Sequence, residues 1–188
     1  VNNKDPEKNS SVSSFTKSDS NSNLITLNLP VDKKLVECLY KIKARNQEIY
    51  QFPTFGDALG SDYKLFERSE LSIDSFKKQL IVIAKNSLKS NIFISDSFFT
   101  IFRAGGGLVS HDHLNKIDRI EGLDIAKKKF SLVYYLSVGD QTCDEPGILK
   151  LENPNQEILP FNGLIIIFPA KRKHSVFYKG EKDRIIIG

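Results

Sequence analysis

The sequence predicts a mainly β protein, a double-stranded β-helix (jelly roll) with two supporting N-terminal α-helices. Three observations carry this reading. From residue 91 onward short apolar runs alternate with turn signals, two stripes at helical spacing precede them, and three histidines sit where strands of such a fold can meet.

The length of 188 residues fits one domain, residues 24–188, with a tail. Residues 1–23 are Ser, Asn, Asp and Lys with almost nothing apolar, and they read as a disordered linker. The chain lacks Met, begins at Val1 and ends at Gly188 inside a strand-like run, so it reads as a piece of a longer protein. An upstream domain would attach through the linker. No apolar run approaches the roughly 20 residues that span a bilayer, and no signal peptide is visible at the start. Cys38 and Cys143 follow no CxxC spacing and read as reduced thiols of a cytoplasmic protein. The net charge of +4 arises from many charges of both signs and says little about partners.

Order begins with the alternating strand Leu24 to Leu29, closed by Pro30. A helix follows with Asp32 as cap and Leu35, Leu39, Ile42 and Ile49 on one stripe. Residues 51–71 are irregular. A second helix is expected after Ser72 as N-cap, burying Phe76, Leu80, Ala84 and Leu88. These two helices make up the helical support, 24–90, for a core spanning 91–188. Strands are expected at Ile92–Ile94, Phe98–Phe102, Leu108–His113, Phe130–Leu136, Ile148–Leu151, Leu164–Phe168, Ser175–Tyr178 and Arg184–Ile187. Eight short strands of this kind suggest a sandwich, jelly roll or small barrel, with the helices outside one sheet.

His111 and His113 are one residue apart. In a strand both imidazoles leave the same face, about 6–7 Å apart along the backbone, and Asp112 points the other way. Two imidazoles so placed can share a metal. His174 follows the strand Leu164–Phe168, and an antiparallel jelly roll can bring that later strand to the pair. The three glycines of Gly105-Gly-Gly107 let the backbone turn tightly into the first histidine strand. Arg184, on the next strand, is placed to enter the same cavity, where a guanidinium would clamp a carboxylate bidentately.

The run Ser97-Phe-Phe-Thr-Ile-Phe-Arg-Ala-Gly-Gly-Gly107, then His111-Asp-His113, Phe130 to Leu136, Glu145 to Lys150, Gly163 to Pro169, His174 and Arg184, resembles the catalytic core of 2-oxoglutarate/Fe(II)-dependent oxygenases. It is most similar to a bacterial group found in some tetratricopeptide-repeat proteins, in which a Gly-rich turn leads to an HxH strand. The resemblance covers residues from about 96 to 188. It implies Fe(II) on His111, His113 and His174, with 2-oxoglutarate as cosubstrate held by Arg184 and by a hydroxyl from Tyr134 or Tyr135. It further implies hydroxylation of a C–H bond in a protein side chain or small metabolite. His113 stands where most members carry Asp or Glu, and Asp112, Asp118 and Glu121 are candidates for the missing charge. Ile186 stands where Ser is common.

Two other classes share parts of this pattern. Gly105, His111-x-His113 and Asp118, followed by Gly163, Pro169 and His174, approximate the two motifs of a metal-binding cupin, an isomerase, dioxygenase or sugar-binding module on the same fold. A β-sandwich interaction module with an inert zinc ion is the non-enzymatic alternative. The basic triplets Lys127–Lys129 and Lys171–Lys173 read as solvated turns rather than a nucleic-acid surface. No GxxxxGK[ST] phosphate loop occurs, and the glycine run opens no helix. Substrate choice would fall to residues 51–71, 114–129 and 139–146, whose composition names no substrate.

Overall fold

The computed structural model describes residues 23–42, 45–46, 58–103 and 105–188. The expected linker lies outside these residues apart from Asn23, as do Ile49 and the first part of the irregular 51–71 segment. Strand β1 (Ile25–Asn28) leads into helix α1 (Lys33–Lys41), whose cap Asp32 accepts a hydrogen bond from the Lys34 amide at 2.9 Å. Strands β2 (Arg45–Asn46) and β3 (Ala58–Gly60) precede α2 (Leu71–Leu88). This helix starts earlier than Ser72 implied. Glu70 is the N-cap and Ser72 falls inside the first turn, where the Ile73 and Asp74 amides bond to the Glu70 carbonyl.

Then come β4 (Phe99–Phe102), β5 (Gly106–His111), a single helical turn α3 (Ile125–Lys128) and β6 (Phe130–Ser137). The chain closes with β7 (Leu149–Leu151), β8 (Gln156–Ile158), β9 (Leu164–Pro169), β10 (His174–Tyr178) and β11 (Arg184–Ile187). The expected strand at Ile92–Ile94 does not pair, and β2, β3 and β8 were not expected. These three strands have only two or three residues each, too few to show a period.

Two antiparallel sheets result. The larger runs β1-β9-β6-β11-β4-β3-β2 and the smaller β5-β10-β7-β8. They face one another as a double-stranded β-helix, and the helices cover the outer face of the larger sheet. Its central strands are therefore buried on both sides, which is why β9 and β11 read as unbroken apolar runs. Alternation still sorts them. Ile165, Ile167, Ile185 and Ile187 pack outward with Leu35, Leu39, Phe76 and Leu80 of the helices. Leu164, Ile166, Phe168 and Ile186 pack inward with Leu149, Leu151 and Val176 of the smaller sheet. Among the described residues, no helix is long and apolar enough to cross a membrane.

Candidate metal centre

The three histidines converge at one end of the smaller sheet. His111 closes β5 and His174 opens β10, and antiparallel pairing sets them directly opposite one another. The expected strand to His113 stops at His111, yet His113 still joins the pair. Its amide donates to the Ala170 carbonyl at 2.9 Å, and the Ala170 amide donates to the Lys129 carbonyl at 2.9 Å, so the loop is pinned to the end of β9. One ligand atom from each imidazole lies within 4.8 Å of the other two. His113 Nε2 and His174 Nε2 are 3.2 Å apart. His111 Nδ1 is 2.8 Å from the Val109 carbonyl, and His174 Nδ1 is 3.3 Å from the Arg172 carbonyl. A proton on each Nδ1 bonds to its carbonyl and leaves the Nε2 lone pair free for a metal. The edge of Phe168 closes the inner side of His174, with ring centroids 5.0 Å apart.

Two of the three imidazoles are held in the neutral form. Burial, with the charges of His111 and Lys129, pushes His113 down to about 4. Burial, with His111 and His113, pushes His174 down to about 3. Deprotonated imidazoles are the metal-binding form.

None of the candidate carboxylates belongs to this ligand group. Asp112 Oδ1 accepts from the Leu114 amide at 3.0 Å and from Arg119 at 2.6 Å, and the Arg119 bond holds its carboxyl below the usual range. Asp118 forms a shielded ion pair with Lys129 at 2.7 Å and accepts from the Asn115 amide. Both tie down the loop that carries His113. Glu121 is exposed. The basic triplets are also less solvated than expected: Lys129 is committed to Asp118, and buried Arg172 bonds the carbonyls of Glu152 and Pro154 and the Gln156 side chain.

Arg184 opens β11 and is buried. It is 1 % exposed and projects between the sheets, its Cζ 5.3 Å from the Tyr135 ring centroid and 5.9 Å from that of Phe102. Its Nε and Nη1 are buried without a hydrogen-bond partner, and no ion pair to it exists among the described residues. Burying an unpaired guanidinium is costly, so two free donors facing the interior mark a place for an anion. Gly147 makes the room. A Cβ there would stand 1.7 Å from Arg184 Nη1, and its φ of +83° suits glycine alone.

The two tyrosines separate. Tyr135 faces inward beside Arg184; burial pushes its phenol up and the guanidinium pulls it back. Tyr134 faces outward, stacked on Phe76 at 5.0 Å, with its hydroxyl 3.3 Å from the Pro30 carbonyl. Strand alternation places Tyr134 on the far side of the sheet from the histidines and Tyr135 on the side of Arg184.

No protein-family model and no curated protein matches this sequence. Solved structures do share its architecture. A Pseudomonas putida prolyl-4-hydroxylase superposes with a TM-score of 0.61 at 15% identity, over 89% of this chain and 92% of that one. A Trichoplax adhaerens prolyl hydroxylase, in complex with a hypoxia inducible factor peptide fragment, gives 0.62 at 12%, over 89% and 83%. HygX of Streptomyces hygroscopicus, with nickel and 2-oxoglutarate bound, gives 0.60 at 11%, over 89% and 82%. The chain thus has the double-stranded β-helix fold found in 2-oxoglutarate/Fe(II) oxygenase structures, with three histidines and a buried arginine between its sheets.

Proposed function

We propose that this protein is a 2-oxoglutarate- and Fe(II)-dependent oxygenase that hydroxylates a C–H bond of a protein side chain or small metabolite. The observation that carries the reading is the pairing of a three-imidazole cluster with a buried arginine that has unused donors. The donor set fits a first-row divalent ion, for which imidazole is a good ligand. Three neutral ligands leave the full double positive charge of the ion uncompensated, and Arg184 adds a third. A dianionic 2-oxo acid would offset two of these three charges, with one carboxylate toward the histidines and the other on Arg184. The chemistry that Fe(II) supplies in such a site is O₂-dependent: 2-oxoglutarate yields succinate and CO₂, and one oxygen atom enters the substrate C–H bond.

The chain's own residues do the positioning. His111, His113 and His174 would hold the ion. Arg184 Nε and Nη1 hold the distal carboxylate, with the Tyr135 hydroxyl as an additional donor. Phe168 lies against His174, and Phe102 beside Arg184. The third histidine, in place of a carboxylate, supports the likeness to the HxH group of tetratricopeptide-repeat proteins. Two free thiols suit a reducing, cytoplasmic setting. The cupin alternative would need a carboxylate at Asp118, which is held by Lys129 instead.

The test is an anaerobic titration of metal-free protein with Fe(II) and then 2-oxoglutarate. The expected result is the visible charge-transfer band of a chelated 2-oxo acid, lost in Arg184→Ala. Metal binding without the band sinks the oxygenase reading and favours an inert zinc module.

A further inference from the structure

The turn from Pro169 to Lys173 joins β9 to β10 and holds two of the three histidines through its backbone. The Ala170 carbonyl accepts from the His113 amide at 2.9 Å, and the Arg172 carbonyl lies 3.3 Å from His174 Nδ1. The third, His111, stands opposite His174 in the ladder. A shift of this turn would therefore move His113 and His174 relative to His111. Within the turn, one backbone bond closes the loop, from the Arg172 amide to the Pro169 carbonyl at 2.9 Å. Lys171 and Lys173 are exposed on either side, while Arg172 is only 5 % exposed.

The Arg172 side chain reaches the hairpin that joins β7 to β8. Its Nε donates to the Glu152 carbonyl at 2.9 Å, and its Nη2 donates to the Pro154 carbonyl and to Gln156 Oε1, the latter at 2.8 Å. The Glu152 amide returns a bond to the Lys173 carbonyl at 2.9 Å, so the two turns are tied from both sides. All three acceptors of the guanidinium are neutral. Among the described residues no ion pair to Arg172 exists, and its Nη1 is buried without a partner. A buried cation met only by dipoles gains no stability over an apolar side chain of similar size. What it supplies is geometry: the planar fork fixes three acceptors on separate residues, which a flexible ammonium does not.

We propose that Arg172 is a positioning residue of the metal centre, locking the Pro169–Lys173 turn to the β7–β8 hairpin so that the Ala170 and Arg172 carbonyls hold His113 and His174 in place for an ion. A ligating histidine depends on the partner of its other ring nitrogen, which fixes the tautomer and the ring orientation. For His174 that partner is the Arg172 carbonyl, and the guanidinium of the same residue decides where the carbonyl sits. The line of contact runs from Gln156 at the start of β8 through Arg172 to His174, with no step through the larger sheet. The inference rests on the three-histidine metal reading and is independent of 2-oxoglutarate.

Two variants test it. Arg172→Lys keeps the charge and loses the fork. Gln156→Ala removes one acceptor at a half-buried position and leaves the turn intact, so it decides the matter alone if Arg172→Lys fails to fold. In metal-free protein, imidazole nitrogen NMR shifts report the tautomer. The parent should show His174 with its proton on Nδ1, and both variants should show an average of the two tautomers. An unchanged tautomer in the variants overturns the proposal. With Co(II) as the probe, affinity should fall about 10- to 100-fold in Arg172→Lys, the usual loss when the support of a ligand is removed. In Gln156→Ala it should fall several-fold, about what one hydrogen bond contributes. The ligand-field spectrum of bound Co(II) should change in both. Ile187→Ala, on the far face of the larger sheet, is the control for stability alone and should keep the parent's tautomer and spectrum. Variants at 172 and 156 that match this control, destabilised with both signals unchanged, overturn the proposal by itself. A parent that binds no Co(II) sinks the metal reading, and this proposal with it.

Discussion

On β11, Ile185 and Ile187 face the helices while Arg184 and Ile186 face the smaller sheet. On β6, Tyr134 stacks on Phe76 while its neighbour Tyr135 lies under the Arg184 guanidinium. The outer face of the larger sheet is thus apolar and close-packed, and its one buried phenol reaches backbone carbonyls. The inner face carries a guanidinium with two unused donors and looks across to the imidazole cluster of the smaller sheet. The same strands give both surfaces, one residue out of phase. Stability is concentrated on the first face, and the inner face retains polar groups whose cost only a bound ion and an anion would offset.

The comparison can be broken most sharply at the histidines. His174→Ala should weaken Fe(II) or Zn²⁺ binding by about a thousandfold, since a three-ligand set loses its buried member. Calorimetry showing unchanged affinity would dissolve the triad. On the opposite face, Ile187→Ala should lower unfolding free energy by about 2–5 kcal/mol, the usual cost of emptying a well-packed site. Its metal and 2-oxoglutarate affinities should stay within experimental error of the parent, and a loss of either would mean that the two faces are coupled.

Arg184→Met should act in opposite directions at once. The affinity for 2-oxoglutarate should fall about a hundredfold with the loss of a charge-assisted bidentate contact, whereas the ligand-free protein should gain stability because a buried unpaired cation is gone. A variant that is less stable and still binds the cosubstrate would remove Arg184 from its proposed role. The tyrosines give a finer test. Tyr135→Phe should weaken 2-oxoglutarate several-fold, about what one hydrogen bond contributes, and Tyr134→Phe should leave that affinity unchanged. The reverse order would contradict the alternation on β6. The smallest effect is expected at Asp112, committed to Arg119 and the Leu114 amide. Asp112→Asn should change metal affinity by no more than about twofold, as an exposed ion pair contributes little, and a larger loss would bring that carboxylate to the ion.

Much of this architecture was legible in the residues. Asp32 marked the start of α1, and the spacing of Phe76, Leu80 and Ala84 marked the buried face of α2. The apolar runs at Leu164–Phe168 and Arg184–Ile187 marked strands, because local period and turn chemistry are written in adjacent positions. The HxH spacing kept two imidazoles close in sequence, but β5 ends at His111 and the Ala170 carbonyl holds His113, while the third-histidine expectation rested on the topology of the predicted fold.

What tertiary structure alone decided are relations between residues far apart in sequence. Tyr134 and Tyr135 could not be told apart until β6 had a helix layer on one side and a second sheet on the other. The aspartates looked like ligands until Arg119 and Lys129 were seen to hold them. Gly147 sits beneath Arg184 only because the loop before β7 folds over β11. The run Ile92–Ile94 has the composition of a strand, but a strand is defined by its neighbour, and hydrogen-bond partners are a property of the whole sheet rather than of the segment.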